Sequence, residues 1–132
     1  MIKDKLEECR HLRIMINDCN NKIKEIGNYK SPRFDNNSHS GSSISAAEQY
    51  LENVERYQDK KDRLISQLNS MWSELRIIFT ESCLAAEEEK LLYLRFYKNI
   101  QWKKCAKLMF WSEGRTFGTF RKILAKCTIN VN

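Results

Sequence analysis

Between Ser45 and about Phe79 the chain carries two overlapping apolar rows at helical spacing, with no glycine or proline to interrupt them. One row is Leu51, Val54, Ile65, Leu68, Trp72, Leu75 and Phe79. The other is Tyr50, Val54, Tyr57, Leu64, Leu68, Met71, Leu75 and Ile78. Residues three and four apart share one face of an α-helix, so the pattern predicts a single long helix with a broad apolar stripe. Ser45, with Glu48 three residues later, reads as its capping box. The stripe is wider than a two-helix seam needs, most of all after Ile65.

A shorter partner precedes it. Cys9, Leu12, Ile16, Cys19, Ile23 and Ile26 alternate spacings of three and four, a heptad seam over residues 3–26. Gly27 follows as a stop signal. Residues 28–43 are rich in Asn, Ser and turn formers and read as an exposed loop. The first helix spans roughly 36 Å and the second roughly 52 Å at 1.5 Å per residue. An antiparallel hairpin of the two leaves roughly 16 Å of the second helix unmatched. Met71, Trp72, Leu75 and Ile78 fall in that overhang. They predict packing on the C-terminal domain or self-association, most simply as a two-fold dimer.

Charge is unevenly placed. Residues 90–132 hold ten Lys and Arg against one acid, Glu113, a balance of +9; residues 1–89 hold thirteen against sixteen, a balance of −3. A field of that sign attracts polyanions. The five cysteines are Cys9, Cys19, Cys83, Cys105 and Cys127. They show no CxxC, and each lies in or beside an apolar row, so they read as core thiols in a reducing cytosol. His11 and His39 have no partner at metal-ligand spacing, so no metal and no cofactor is expected. No apolar run approaches membrane-span length. No phosphate loop and no nucleophile–base set is present, and Glu87, Glu88 and Glu89 read as solvated carboxylates at a helix start. The chain does not read as an enzyme.

The last third carries the functional signal. Leu91, Leu92, Leu94, Phe96 and Tyr97 give the first of three short helices its apolar side, with Asn99 at its end. Gln101 to Met109 is the second. Trp102, Cys105, Ala106 and Met109 turn toward the core, and Lys103, Lys104 and Lys107 turn outward. Ser112 caps the third, residues 113–127, whose core row is Thr116, Phe120, Ile123 and Cys127. At 100° per residue the outward face of that helix is Gly114, Gly118, Arg121, Lys122 and Ala125. Arg115 and Lys126 lie on one edge, with Thr119 near them.

The stretch from Leu91 to Tyr97, then Trp102 to Met109, then Ser112 resembles the C-terminal DNA-binding region of bacterial sigma factors. There an L-R-[YF]-[YF] helix precedes a Y-x-E-I-A-x-x-L helix, and a Ser caps the recognition helix. The layout is also similar to small phage-encoded sigma-like regulators, which join a helical hairpin to this motif; Ser31-Pro32-Arg33 matches their linker loosely. Ala106 and Ser112 stand at the matching separation. Three positions depart: Phe110 stands where the family places Gly, Cys105 where Ile is usual, and Thr116 in a Val slot. A non-Gly residue at positive φ costs on the order of 1 kcal/mol, so Phe110 predicts a different turn geometry.

These readings combine into an all-α expectation: a long antiparallel helical hairpin over residues 1–82, a three-helix helix-turn-helix domain over 83–128, and a tail over 129–132. The resemblance implies sequence-specific binding to duplex DNA in a bacterial cytoplasm, with RNA polymerase as a further partner. Arg115 and Arg121 are the candidates to read bases. Lys103, Lys104, Lys107, Lys122 and Lys126 hold phosphates, and Gln101 and Ser112 add neutral phosphate bonds. Gly114, Gly118 and Thr119 permit close approach. Two rivals are a small terminase-like packaging protein and a helical interaction protein that binds no DNA.

Overall fold

The computed structural model describes the backbone of residues 2–28 and 40–131 and the side chains of residues 2–27 and 46–128. Its elements are α1 (Ile2–Asn28), α2 (Ser40–Glu81), α3 (Ala86–Leu92) with a π-helical turn running on over Tyr93–Tyr97, α4 (Trp102–Met109) and α5 (Glu113–Val131). The protein is all-α, and no strand occurs among the described residues. Two compact units share it: Met1–Ile14 with Ser66–Asn132, and Met15–Ile65. The start of α1 and the later part of α2 fall in the same unit as the C-terminal helices.

Two boundaries differ from expectation. α2 begins at Ser40, so Ser45 lies inside the helix and is not its cap. α1 runs through Gly27 to Asn28. Residue 28 and residues 40–43 of the expected loop are therefore helical, and residues 29–39 lie outside the described residues. An isolated Gly lowers helix propensity by about 1 kcal/mol but does not forbid the helix.

In the unit of Met15–Ile65, Ile16, Cys19 and Leu64 are buried. Val54 and Tyr57 are half-buried, whereas Tyr50 and Leu51, at the start of the two apolar rows, are exposed.

In the other unit the buried positions of α1 are Ile2, Leu6 and Cys9, and those of α2 are Leu68, Trp72, Leu75 and Phe79. Their spacings of three and four keep each set on one helix face. Each fully buried Leu or Phe contributes about 1.5–3 kcal/mol of apolar transfer energy. The broad stripe after Ile65 has its explanation here. Trp72 meets Tyr93 and Tyr97 edge-on, with ring centroids 6.1 and 5.6 Å away, and Phe79 at 5.6 Å. Trp72 and Leu75 are thus buried within the single chain, whereas Met71 and Ile78 are half-buried.

The π-helical turn sets Tyr93 and Tyr97 in a stack, with centroids 4.8 Å apart. Side chains from α1 and α2 pin its end. Arg13 Nε donates to the Tyr97 carbonyl at 2.7 Å, and its guanidinium lies 5.0 Å over the Tyr97 ring. Arg10 donates to Asn99 Oδ1 at 3.3 Å, and the Tyr97 hydroxyl donates to Asn69 Oδ1 at 2.6 Å. Asn99 itself takes a left-handed backbone, φ 57°, as suits a residue that ends a helix.

Candidate nucleic-acid interface

α4 and α5 are joined by a turn at Phe110, Trp111 and Ser112. α4 ends in a Schellman-type pattern. The Phe110 N–H donates to the Lys107 carbonyl at 3.1 Å, and the Trp111 N–H to Ala106 at 3.0 Å. That pattern requires a left-handed residue, and Phe110 supplies it at φ 61°, ψ 37°. The expectation of another geometry at this turn is therefore incorrect. Backbone satisfaction and the pull of the core on both helices outweigh a strain of about 1–2 kcal/mol. α2 ends the same way at Cys83, φ 57°, where the Leu84 N–H reaches Phe79 and the Cys83 N–H reaches Thr80.

Ser112 starts α5. Its Oγ accepts the Arg115 N–H at 3.1 Å, and the Thr116 hydroxyl donates to the Ser112 carbonyl at 2.9 Å. Thr116 is fully buried yet satisfied by that bond, which accounts for a hydroxyl in an apolar slot. Ala106 is buried, as are Cys105, Met109, Ile123 and Cys127. Trp102 is half-buried among Phe96, Phe117 and Phe120, with centroids 6.0, 5.3 and 4.9 Å away. The Arg95 guanidinium lies 5.1 Å over the Trp102 ring and donates to the Ile100 carbonyl at 3.1 Å.

This core leaves one basic surface outside. Lys103, Lys104 and Lys107 on α4 are exposed, and so are Gln101, Ser112, Gly114, Arg115, Arg121 and Lys122. Gly118 and Thr119 are half-buried. A Cβ built at Gly114 or Gly118 meets nothing within 4 Å, so no contact inside the chain calls for glycine at either place. The Arg115 guanidinium lies 4.5 Å over the ring of Trp111. Sequence reading missed this pair, although the i, i+4 spacing of the two residues was visible.

Lys126 is the exception among the predicted phosphate-holding residues. Its Nζ is bound by both carboxylate oxygens of Glu88, at 2.9 and 3.0 Å. The salt bridge ties α5 to the start of α3, so Lys126 works inside the fold. The Glu88 carboxylate is correspondingly buried and not solvated, and its Oε1 also accepts the Ala85 N–H at 2.8 Å, the half of a capping box that an alanine N-cap allows. Glu87 is exposed and Glu89 half-buried.

Cys9, Cys19, Cys105 and Cys127 are buried free thiols, whereas Cys83 is exposed in its turn and is no core residue. Burial pushes the Cys9 thiol up to about 11, with Glu8 adding to the effect. Among the described residues no group of three His, Cys, Asp or Glu could hold a metal ion. No described helix is long and apolar enough to cross a membrane. No family model, no curated protein and no solved structure matches the chain.

Proposed function

We propose that the protein is a sequence-specific DNA-binding regulator of transcription, of the sigma-like kind found in phages and prophages, acting in the bacterial cytoplasm. α5 lies in the major groove with Arg115 and Arg121 at base edges. Lys103, Lys104 and Lys107 of the preceding helix, with Lys122, hold phosphates. The glycine positions Gly114 and Gly118 let the helix approach the groove closely.

One observation carries this reading. Lys103, Lys104, Lys107, Arg115, Arg121 and Lys122 are all exposed on two helices joined by a Ser-capped turn, and none forms an ion pair among the described residues. Six exposed cations without an ion pair, of which Lys122 alone feels a nearby carboxylate through the charge of Glu88, suit a polyanion better than a neutral partner.

Fluorescence anisotropy with labelled duplex across a KCl series tests it. With roughly four to six phosphates neutralised, the log–log slope is about −4 to −5. A slope near zero removes DNA as the partner. Sequencing the genomic fragments that the purified protein retains then yields a shared motif; uniform recovery favours packaging over regulation.

A further inference from the structure

Phe110 costs the fold and gains nothing within it. Its backbone is left-handed, a region that glycine enters freely and a β-carbon disfavours. Its side chain is 94% exposed, so no apolar contact offsets that strain. Glycine would make the same backbone bonds to Lys107 and Ala106 without the penalty. The ring therefore serves something outside the chain.

Its surroundings narrow the choice. Leu108, two residues earlier, is 42% exposed. Lys104 and Lys107 are exposed on α4, and the next residue, Trp111, lies under the Arg115 guanidinium. The turn and the first turn of α5 thus form one surface, an apolar knob set among cations. Those cations continue along α5 through Arg121 and Lys122, with Glu113 the one acid in residues 90–132. A protein that fitted the knob alone would leave the cations of α5 unmatched. A duplex offers phosphates for them and two apolar features for the ring, the thymine methyl in the major groove and the deoxyribose face on its wall.

Resting on the DNA reading above, the geometry points to Phe110 as a DNA-contacting residue that packs its ring on an apolar part of the duplex beside Arg115. The test compares the wild-type chain with Phe110→Gly and Phe110→Trp on a fluorescein-labelled duplex, with a uracil-for-thymine copy of the same duplex as a third arm. The glycine variant melts at or above the wild-type temperature yet binds about tenfold more weakly. Its salt slope is unchanged, because no phosphate contact is lost. The tryptophan variant binds like wild type. If the uracil duplex weakens wild type but not Phe110→Gly, the contact is the thymine methyl; if it weakens neither, the contact is the sugar face. Wild-type affinity in Phe110→Gly, with ordinary salt-dependent binding by both chains, overturns the inference while leaving the DNA reading intact. Absence of salt-dependent binding by wild type overturns both.

Discussion

Lys126 of α5 donates to both carboxylate oxygens of Glu88, a residue 38 positions earlier that also caps the start of α3. Burial by itself raises the Glu88 carboxyl. The hydrogen bonds from Lys126 and the Ala85 N–H, with the charges of Lys126 and Lys122, outweigh it and hold the group below its ordinary value of 4.5. A carboxyl depressed in the folded state stabilises the protein above its unfolded value, and that contribution is lost as pH falls through the folded one. Glu88→Gln therefore costs about 1 kcal/mol at pH 7, the Lys126 end being partly solvated. At pH 3 the gap between the wild-type and variant melting curves is narrower than at pH 7. Circular dichroism melts at both pH values check this; an equal gap at both denies the ion pair a role.

Thiol labelling tests the burial pattern. Cys9, Cys19, Cys105 and Cys127 are buried, and burial raises the Cys105 and Cys127 thiols as it does Cys9. Cys83 alone is exposed. A chromogenic disulfide reagent at pH 8 modifies one thiol per native chain quickly and all five after denaturation. Because every cysteine is free, reducing agent leaves the melting temperature unchanged.

Two substitutions weigh core against clamp in the unit that holds the C-terminal helices. Leu68 is fully buried, and Leu68→Ala costs about 2–4 kcal/mol. Arg13 satisfies an end carbonyl of the π-helical turn and stacks on Tyr97. Arg13→Ala costs about 1–2 kcal/mol, and Arg13→Lys recovers little of it, since an ammonium lacks the planar fork. Urea denaturation reads both values. A neutral Arg13→Ala shows that Arg13 does not hold the turn.

Much of this fold was legible because its signals are local. Helical spacing marked Leu68, Leu75, Ile123 and Cys127 as core, and Ser112 announced the start of α5 through its own side chain. Less visible were relations between distant residues. Nothing in the rows around Trp72 says that Tyr93 and Tyr97 will cover it, and the stripe alone suited a second chain as well. Lys126 looks like its neighbour Lys122 in a helical projection; only the placement of α3 gives it Glu88. Phe110 misled differently. Residue preference argued against a left-handed turn there, and the packing of α4 and α5 overrode it.

The third helix is expected to separate specificity from affinity. Arg121 on the outward face of α5 and Arg115 at its edge are exposed, and Arg can bond guanine in two places. Lys103 and Lys104 are exposed on α4, the helix expected to cross the backbone. Arg115→Ala or Arg121→Ala costs roughly 1–3 kcal/mol on the preferred site and much less on random duplex. For Arg115 that loss includes the stacking partner of Trp111, so Arg115→Lys, which keeps charge but not the planar fork, serves as its control. Lys103→Ala with Lys104→Ala weakens both duplexes alike and flattens the salt slope by about one unit per lost phosphate contact. Lys126→Ala behaves differently from either set: it lowers the melting temperature through Glu88 and leaves the salt slope where it was. Paired titrations on the two duplexes, with a melt of each variant, separate the three outcomes. Equal weakening on both duplexes by every arginine and lysine variant would make α5 a phosphate clamp and remove the sequence-specific reading.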